Sequence, residues 1–321
     1  MSSTATAPAA TPTLGISLKI ASTFVFTAMV ACVKQVSVHI PPGEIVFFRS
    51  FFALLPILLY LSWRGEIAGA LGTRNLIGHF WRGLAGVTAM FLWFVAVGLL
   101  PLPEAMALGF ASPLITVALA ALVLGETVRI YRWSAVITGF AGILVILWPR
   151  LDGNSLSLDS GHLNHTLGAL AALGSALTVA VAMTQLRRLV TTETTASIVV
   201  NFSVMASFLA LFTIPFGWTW PEPGEAVLLV LAGILGGVGQ VLMTESYRRA
   251  DASTIANFDY TSMIWGLLLG WLVFGEAPDA YVIIGASIVI AAGLFIIYRE
   301  RKLYKVPPAQ VTAGAAAPTP R

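Results

Sequence analysis

A chain of 321 residues that is 57% hydrophobic and only 10% charged, with a mean hydropathy of +0.86, lies far outside soluble domains, where about 25% of residues are charged. That composition excludes a cytosolic enzyme and leaves no room for a sizeable soluble domain. The single cysteine, Cys32, cannot close an internal disulfide, and the net charge of +3 is not gathered into the basic patch that nucleic acid requires.

Residues 1–13, MSSTATAPAATPT, have neither a basic start nor an apolar stretch, so they are expected to form a disordered tail rather than a cleavable signal. Apolar runs broken by Pro, Gly or charge then fall near 14–34, 44–62, 77–99, 103–124 and 132–149, and after an outer connecting loop at 150–165 near 166–186, 195–216, 225–246, 252–274 and 279–298. About 20 apolar residues cross roughly 30 Å of hydrocarbon, which predicts an all-α polytopic membrane protein with ten transmembrane helices. Residues 299–321 start basic and turn Ala/Pro-rich, the composition of a disordered tail. With the N-terminus inside, fifteen Lys and Arg flank the inner ends of the runs, Lys19 and Arg82 among them, against Lys34 and Arg150 outside. The positive-inside bias therefore predicts that both termini are cytoplasmic in a cell inner membrane.

Residues 83–126 align without a gap over 233–276: Gly83 and Gly86 over Gly233 and Gly236, Ser112 over Ser262, and Gly125-Glu126 over Gly275-Glu276. The period is five helices, an odd number, so two halves, 14–149 and 166–298, would enter the membrane in opposite directions. Inverted repeats around a central cavity are the build of alternating access.

The stretch PLPEAMALGFASPLITVALAALVLGE (101–126), preceded by GEIVFFRSFFAL (43–54) and echoed by LVFGE (272–276), resembles the EamA type of the drug/metabolite transporter superfamily. The likeness runs over residues 14–298 and is looser in the second half, where Met263 stands at the place of Pro113. The resemblance implies two five-helix halves about a cavity and transport without ATP hydrolysis. The start of the second run looks most like the branch of riboflavin, S-adenosylmethionine and amino-acid carriers. A secondary transporter of a small metabolite is expected, with no cofactor, no nucleic acid and no required protein partner; an intramembrane enzyme or a non-transporting sensor or scaffold is the alternative.

Arg49 stands well inside the second run, and a charge at that depth usually faces a cavity. Its planar guanidinium suits a substrate carboxylate; a structural pair with Glu104 is the other reading. Asp259, within NFDYTSMIWG (257–266), is a candidate for a cationic group or a coupling proton, and Glu104 for gating. Arg49 and Asp259 enter from opposite sides and are expected to serve separate substrate groups or gates. Trp93, Phe94, Phe110, Tyr260 and Trp265 are candidates to stack on a planar solute. Asn201 and Gln240 add amides that are costly to expose to lipid. Glu245 is expected to pair with Arg249, and Asp159, His162 and His165 fall in the outer loop, where they make a poor metal site.

Overall fold

In hydrocarbon every backbone N–H and C=O needs an internal partner, which makes helices of the apolar runs. The computed structural model describes residues 12–73, 75–123, 130–151, 160–190, 192–249 and 255–304, and among them every regular element is helical. The α-helices are α1 (Pro12–Val36), α2 (Pro42–Arg64), the short α3 (Ile67–Leu71), α4 (Leu76–Leu99), α5 (Leu102–Gly109), α6 (Ala111–Val123), α7 (Ile130–Leu151), α8 (Ser160–Leu189), α9 (Thr195–Leu211), α10 (Pro223–Arg249), α11 (Thr261–Phe274) and α12 (Ala280–Tyr304). Two 3-10 turns, Ile214–Phe216 and Ala256–Tyr260, complete them. Among the described residues seven helices are long and apolar enough to cross a membrane, and Trp133–Pro149, Thr195–Leu211 and Phe258–Phe274 are shorter apolar helices. The chain is a polytopic helical membrane protein.

Several ends differ from the expected ones. The last helix continues to Tyr304, past 298, and α8 begins at Ser160, so part of the expected outer loop, His165 included, is helical. Asp159 and Glu126 lie outside the described residues, as does the side chain of His162. The fourth run is two helices. Pro113 has no N–H to give the carbonyl of Gly109 and its ring crowds that turn, so the helix breaks at Phe110, between α5 and α6. The ninth run also changes character, passing from the 3-10 turn at Ala256–Tyr260 into α11.

The start of α1 and the end of α12 share one face, the termini face; the α1–α2 connection marks the opposite face. On the termini face Glu245 binds Tyr60 and the expected Arg249, while Glu66 meets Arg64 at 3.1 Å and Arg248 at 3.2 Å. Burial pushes the Glu66 carboxyl up, but the hydrogen bonds from Arg248 and Arg64 outweigh it and hold the group below its usual range. On the opposite face Glu44 accepts from the Thr219 N–H at 3.0 Å and His39 meets Glu225 at 2.9 Å.

The principal helix pairings are α1 with α10, α4 with α8, α7 with α12, and α2 with both α9 and α10. Small residues let these backbones approach. A Cβ on Gly142 would stand 2.8 Å from the Gly285 carbonyl oxygen, and one on Gly285 would stand 2.5 Å from that of Gly142. Gly285→Val is therefore expected to force α7 and α12 apart and, at an overpacking cost of about 1–3 kcal/mol, to lower the melting temperature of the detergent-solubilised protein by several degrees. Gly69→Ala, where a Cβ meets nothing within 4 Å, should leave it in place.

Candidate functional site

The helices enclose a large cavity of about 750 Å³, within the range of metabolite-sized sites. Thr23, Thr27 and Met29 of α1 line it, with Arg49 of α2, Arg82, Met90 and Trp93 of α4, Met106 of α5, Ser112 of α6, Ser175 and Met183 of α8, and Asp259 and Ser262. Its lining runs from Arg82, Leu186 and Ile297, on the side of the termini face, to Arg49 and Met106, on the side of the opposite face.

The opposite face is closed. Lys34, near the end of α1, donates to the Leu100 carbonyl at 2.6 Å and pairs with Glu276 at 3.0 Å. The other oxygen of Glu276 accepts the Leu102 N–H at 2.7 Å, at the start of α5. Gly275 explains why a glutamate follows a glycine here. It ends α11 in the left-handed conformation, φ 68°, with its N–H on the Trp271 carbonyl and that of Glu276 on the Gly270 carbonyl; a side chain at that φ would be strained. The turn aims Glu276 at α5 and Lys34. Val33, Leu100 and Leu102 are fully buried around this closure.

Two features set the chemistry of the cavity wall. Phe110 and Tyr260 stack at 5.0 Å between ring centroids, 26° from parallel, where the α5–α6 break and the 3-10 turn meet. Asp259 pairs with Lys19 at 2.6 Å; the lysine side chain is 2% exposed, whereas the aspartate is 48% exposed toward the cavity. Lys19 also lies 5.2 Å from the centre of the Tyr247 ring. It therefore belongs to the site and not, as expected, to the membrane flank.

Arg49 makes no ion pair among the described residues, and its buried Nε has no hydrogen-bond partner. Arg82, also expected at the flank, stands inside α4 with its guanidinium 4.6 Å from the centre of the Phe202 ring and with Nε and Nη1 lacking hydrogen-bond partners. The structure thus brings Arg49, Trp93, Phe94, Phe110, Asp259 and Tyr260 to one cavity. It does not bring Asn201, Gln240 or Trp265 there. Asn201 donates to the Ser197 carbonyl at 2.9 Å, Gln240 lines a separate crevice with Tyr60 and Arg248, and Trp265 packs edge-on against Phe24 at 5.3 Å. Glu104 is buried in the first turn of α5 and does not line the cavity.

A polytopic helical protein with a deep cavity, apolar over most of its wall and charged at a few points, has the build of a solute carrier. The chain belongs to the EamA-like transporter family, which it matches over residues 13–148 and again over 166–299; it is a membrane transporter. Among its relatives, the pseudopaline exporter CntI of Pseudomonas aeruginosa is 30% identical over 283 residues, covering 87% of this chain and 94% of that one. The riboflavin transporter of Rhizobium johnstonii is 31% identical over 83% of this chain and 84% of its own. The S-adenosylmethionine uptake transporter of Rickettsia prowazekii is 26% identical over 84% and 87%. A crystal structure 20% identical to this chain, with a TM-score of 0.63 over 90% of this chain and 98% of the other, shares the fold.

Proposed function

We propose that the chain is a secondary transporter of the cell inner membrane that moves a small organic metabolite, a vitamin such as riboflavin or an amino acid or related compound, by alternating access between two inverted five-helix repeats. The closure of the opposite face carries this reading: Lys34, Glu276 and the start of α5 seal that side, while the cavity lining extends toward the termini face. A carrier needs two such closures used in turn, never both open.

The packing supports the repeat. With the halves beginning at α1 and α8, the contact of α1 with α10 has its counterpart in α8 with α4, that of α6 with α8 has its counterpart in α11 with α1, and α7–α12 and α2–α9 map onto themselves. Phe110 and Tyr260, which stack, are also related by the offset of 150. Arg49 and Asp259 are the residues proposed to meet polar groups of the solute, with Trp93, Phe110 and Tyr260 stacking on its body.

Counterflow of riboflavin and of amino acids into proteoliposomes tests the assignment: accumulation of one of them above protein-free vesicles is expected, and its absence for all would reject this choice of solutes. Orientation is tested separately. Reporter fusions should place the C-terminus and the Arg187–Arg188 connection in the cytoplasm, as the Lys/Arg bias demands, and an external C-terminus would overturn the topology.

A further inference from the structure

We infer that Arg82 is a second anion-binding residue of the cavity, and that the solute is an organic molecule with two acidic groups, one for each of Arg49 and Arg82, which among the proposed solutes fits an acidic amino acid and not riboflavin. Both guanidiniums line the same space and both keep buried nitrogens without acceptors. Asp259, the sole carboxylate in the described lining, is already neutralised by Lys19. The wall therefore carries two positive charges that no described side chain balances. Charges at membrane depth are retained where a partner meets them. A neutral solute would leave both guanidiniums uncompensated and a monoanion would leave one, whereas a diacid answers both.

The geometry of Arg82 favours a ligand over mere packing. Gly86, one turn further along α4, lets Phe202 seat against the helix, since a Cβ there would stand 2.7 Å from its ring. The Phe202 ring carries the guanidinium, with its carbon 4.6 Å from the ring centre, and Nε and Nη1, two donors of the fork that grips carboxylates, meet no acceptor among the described residues. Arg49 lies seven residues into α2 from the opposite face and Arg82 six residues into α4 from the termini face. At 1.5 Å per residue their Cα atoms differ in depth by on the order of 15 Å, a gap that the two long side chains and an extended metabolite can span. The methionines Met29, Met90, Met106 and Met183 of the same wall give an adaptable apolar bed for the body of the molecule.

Resting on the cavity's role as the carrier's solute site, the assignment is tested by binding and by flux separately. Titration calorimetry on the detergent-solubilised full chain compares dicarboxylates from succinate to suberate with hexanoate and the diamide adipamide. At least one diacid is expected to bind about tenfold tighter than hexanoate, and adipamide not at all. Arg82→Gln and Arg49→Gln should each reduce the diacid to the level of hexanoate, while Arg82→Lys, which keeps the charge and loses the fork, should retain part of the advantage. A packing role for Arg82 would leave the diacid-to-monoacid ratio unchanged in every variant that folds. That outcome, a failure of all diacids to bind, or equal binding of hexanoate or adipamide, would overturn the inference. Counterflow separates the two levels. Riboflavin flux that Arg82→Gln leaves intact would keep the carrier and reject the diacid, whereas diacid binding without flux of any bound solute would keep the site and reject the carrier.

Discussion

Arg49→Ala should reduce solute counterflow by about a hundredfold, the cost of removing one partner of a desolvated charge-to-charge contact, and should do so without lowering the melting temperature of the protein. The two halves of this expectation come from one observation. Arg49 has no ionic partner among the described residues and its Nε has no acceptor, so its removal leaves no opposite charge stranded. A buried charge that binds nothing in the resting protein costs stability, and its persistence points to the solute. Arg49→Lys should fall between wild type and alanine, because an ammonium supplies the charge without the planar fork. A lower melting temperature matching the loss of transport would reassign Arg49 to structure.

Asp259→Asn should behave in the reverse way. Lys19 is 2% exposed and its carboxylate partner lies 2.6 Å away; neutralising the aspartate leaves a buried ammonium unpaired, at a cost of about 3–5 kcal/mol. The variant is expected to melt well below wild type and to lose transport for that reason alone. Lys19→Met combined with Asp259→Asn removes both charges and should recover most of the stability. If Asp259 carries the coupling proton, that stable double variant exchanges solute across the membrane but no longer accumulates it when a proton gradient is imposed. Gradient-driven uptake by the double variant would confine the pair to packing. The single asparagine variant cannot make this distinction, because loss of stability and loss of coupling coincide in it.

The apolar runs were legible as helices because periodicity and length suffice when the solvent is lipid. The break at Phe110 was legible only in part: Pro113 was visible, but where a helix yields around a missing N–H depends on the neighbours that fill the gap, here Trp93 against Gly109 and Tyr260 against Phe110. Arg49 was recognised from its depth. Lys19, inside the first run, and Arg82, inside the third, stand at comparable depth, but each is close enough to the inner end of its run to pass for flanking charge. Gln240, Asn201 and Trp265, site candidates by residue type, lie off the cavity, because a polar or aromatic residue on a membrane helix faces cavity or neighbour according to helix rotation, which composition does not fix. The Gly275-Glu276 pair was visible as a repeat, but its work appears only with Lys34 and Leu102 beside it.

Alternating access is tested most directly at the closure. In a Cys32→Ser background, Val33→Cys reports on the closed side, where Val33 is 0% exposed, and Met183→Cys reports on the cavity wall near the termini face. Glu276→Gln removes the partner of Lys34 and weakens the closed side, which should shift the population toward the opposite opening. Labelling by a membrane-impermeant maleimide, applied to each face of oriented vesicles, is then expected to rise at residue 33 from the opposite face and to fall at residue 183 from the termini face. A rise at residue 33 with undiminished labelling at residue 183 would mean that both sides open together, and would contradict the carrier account.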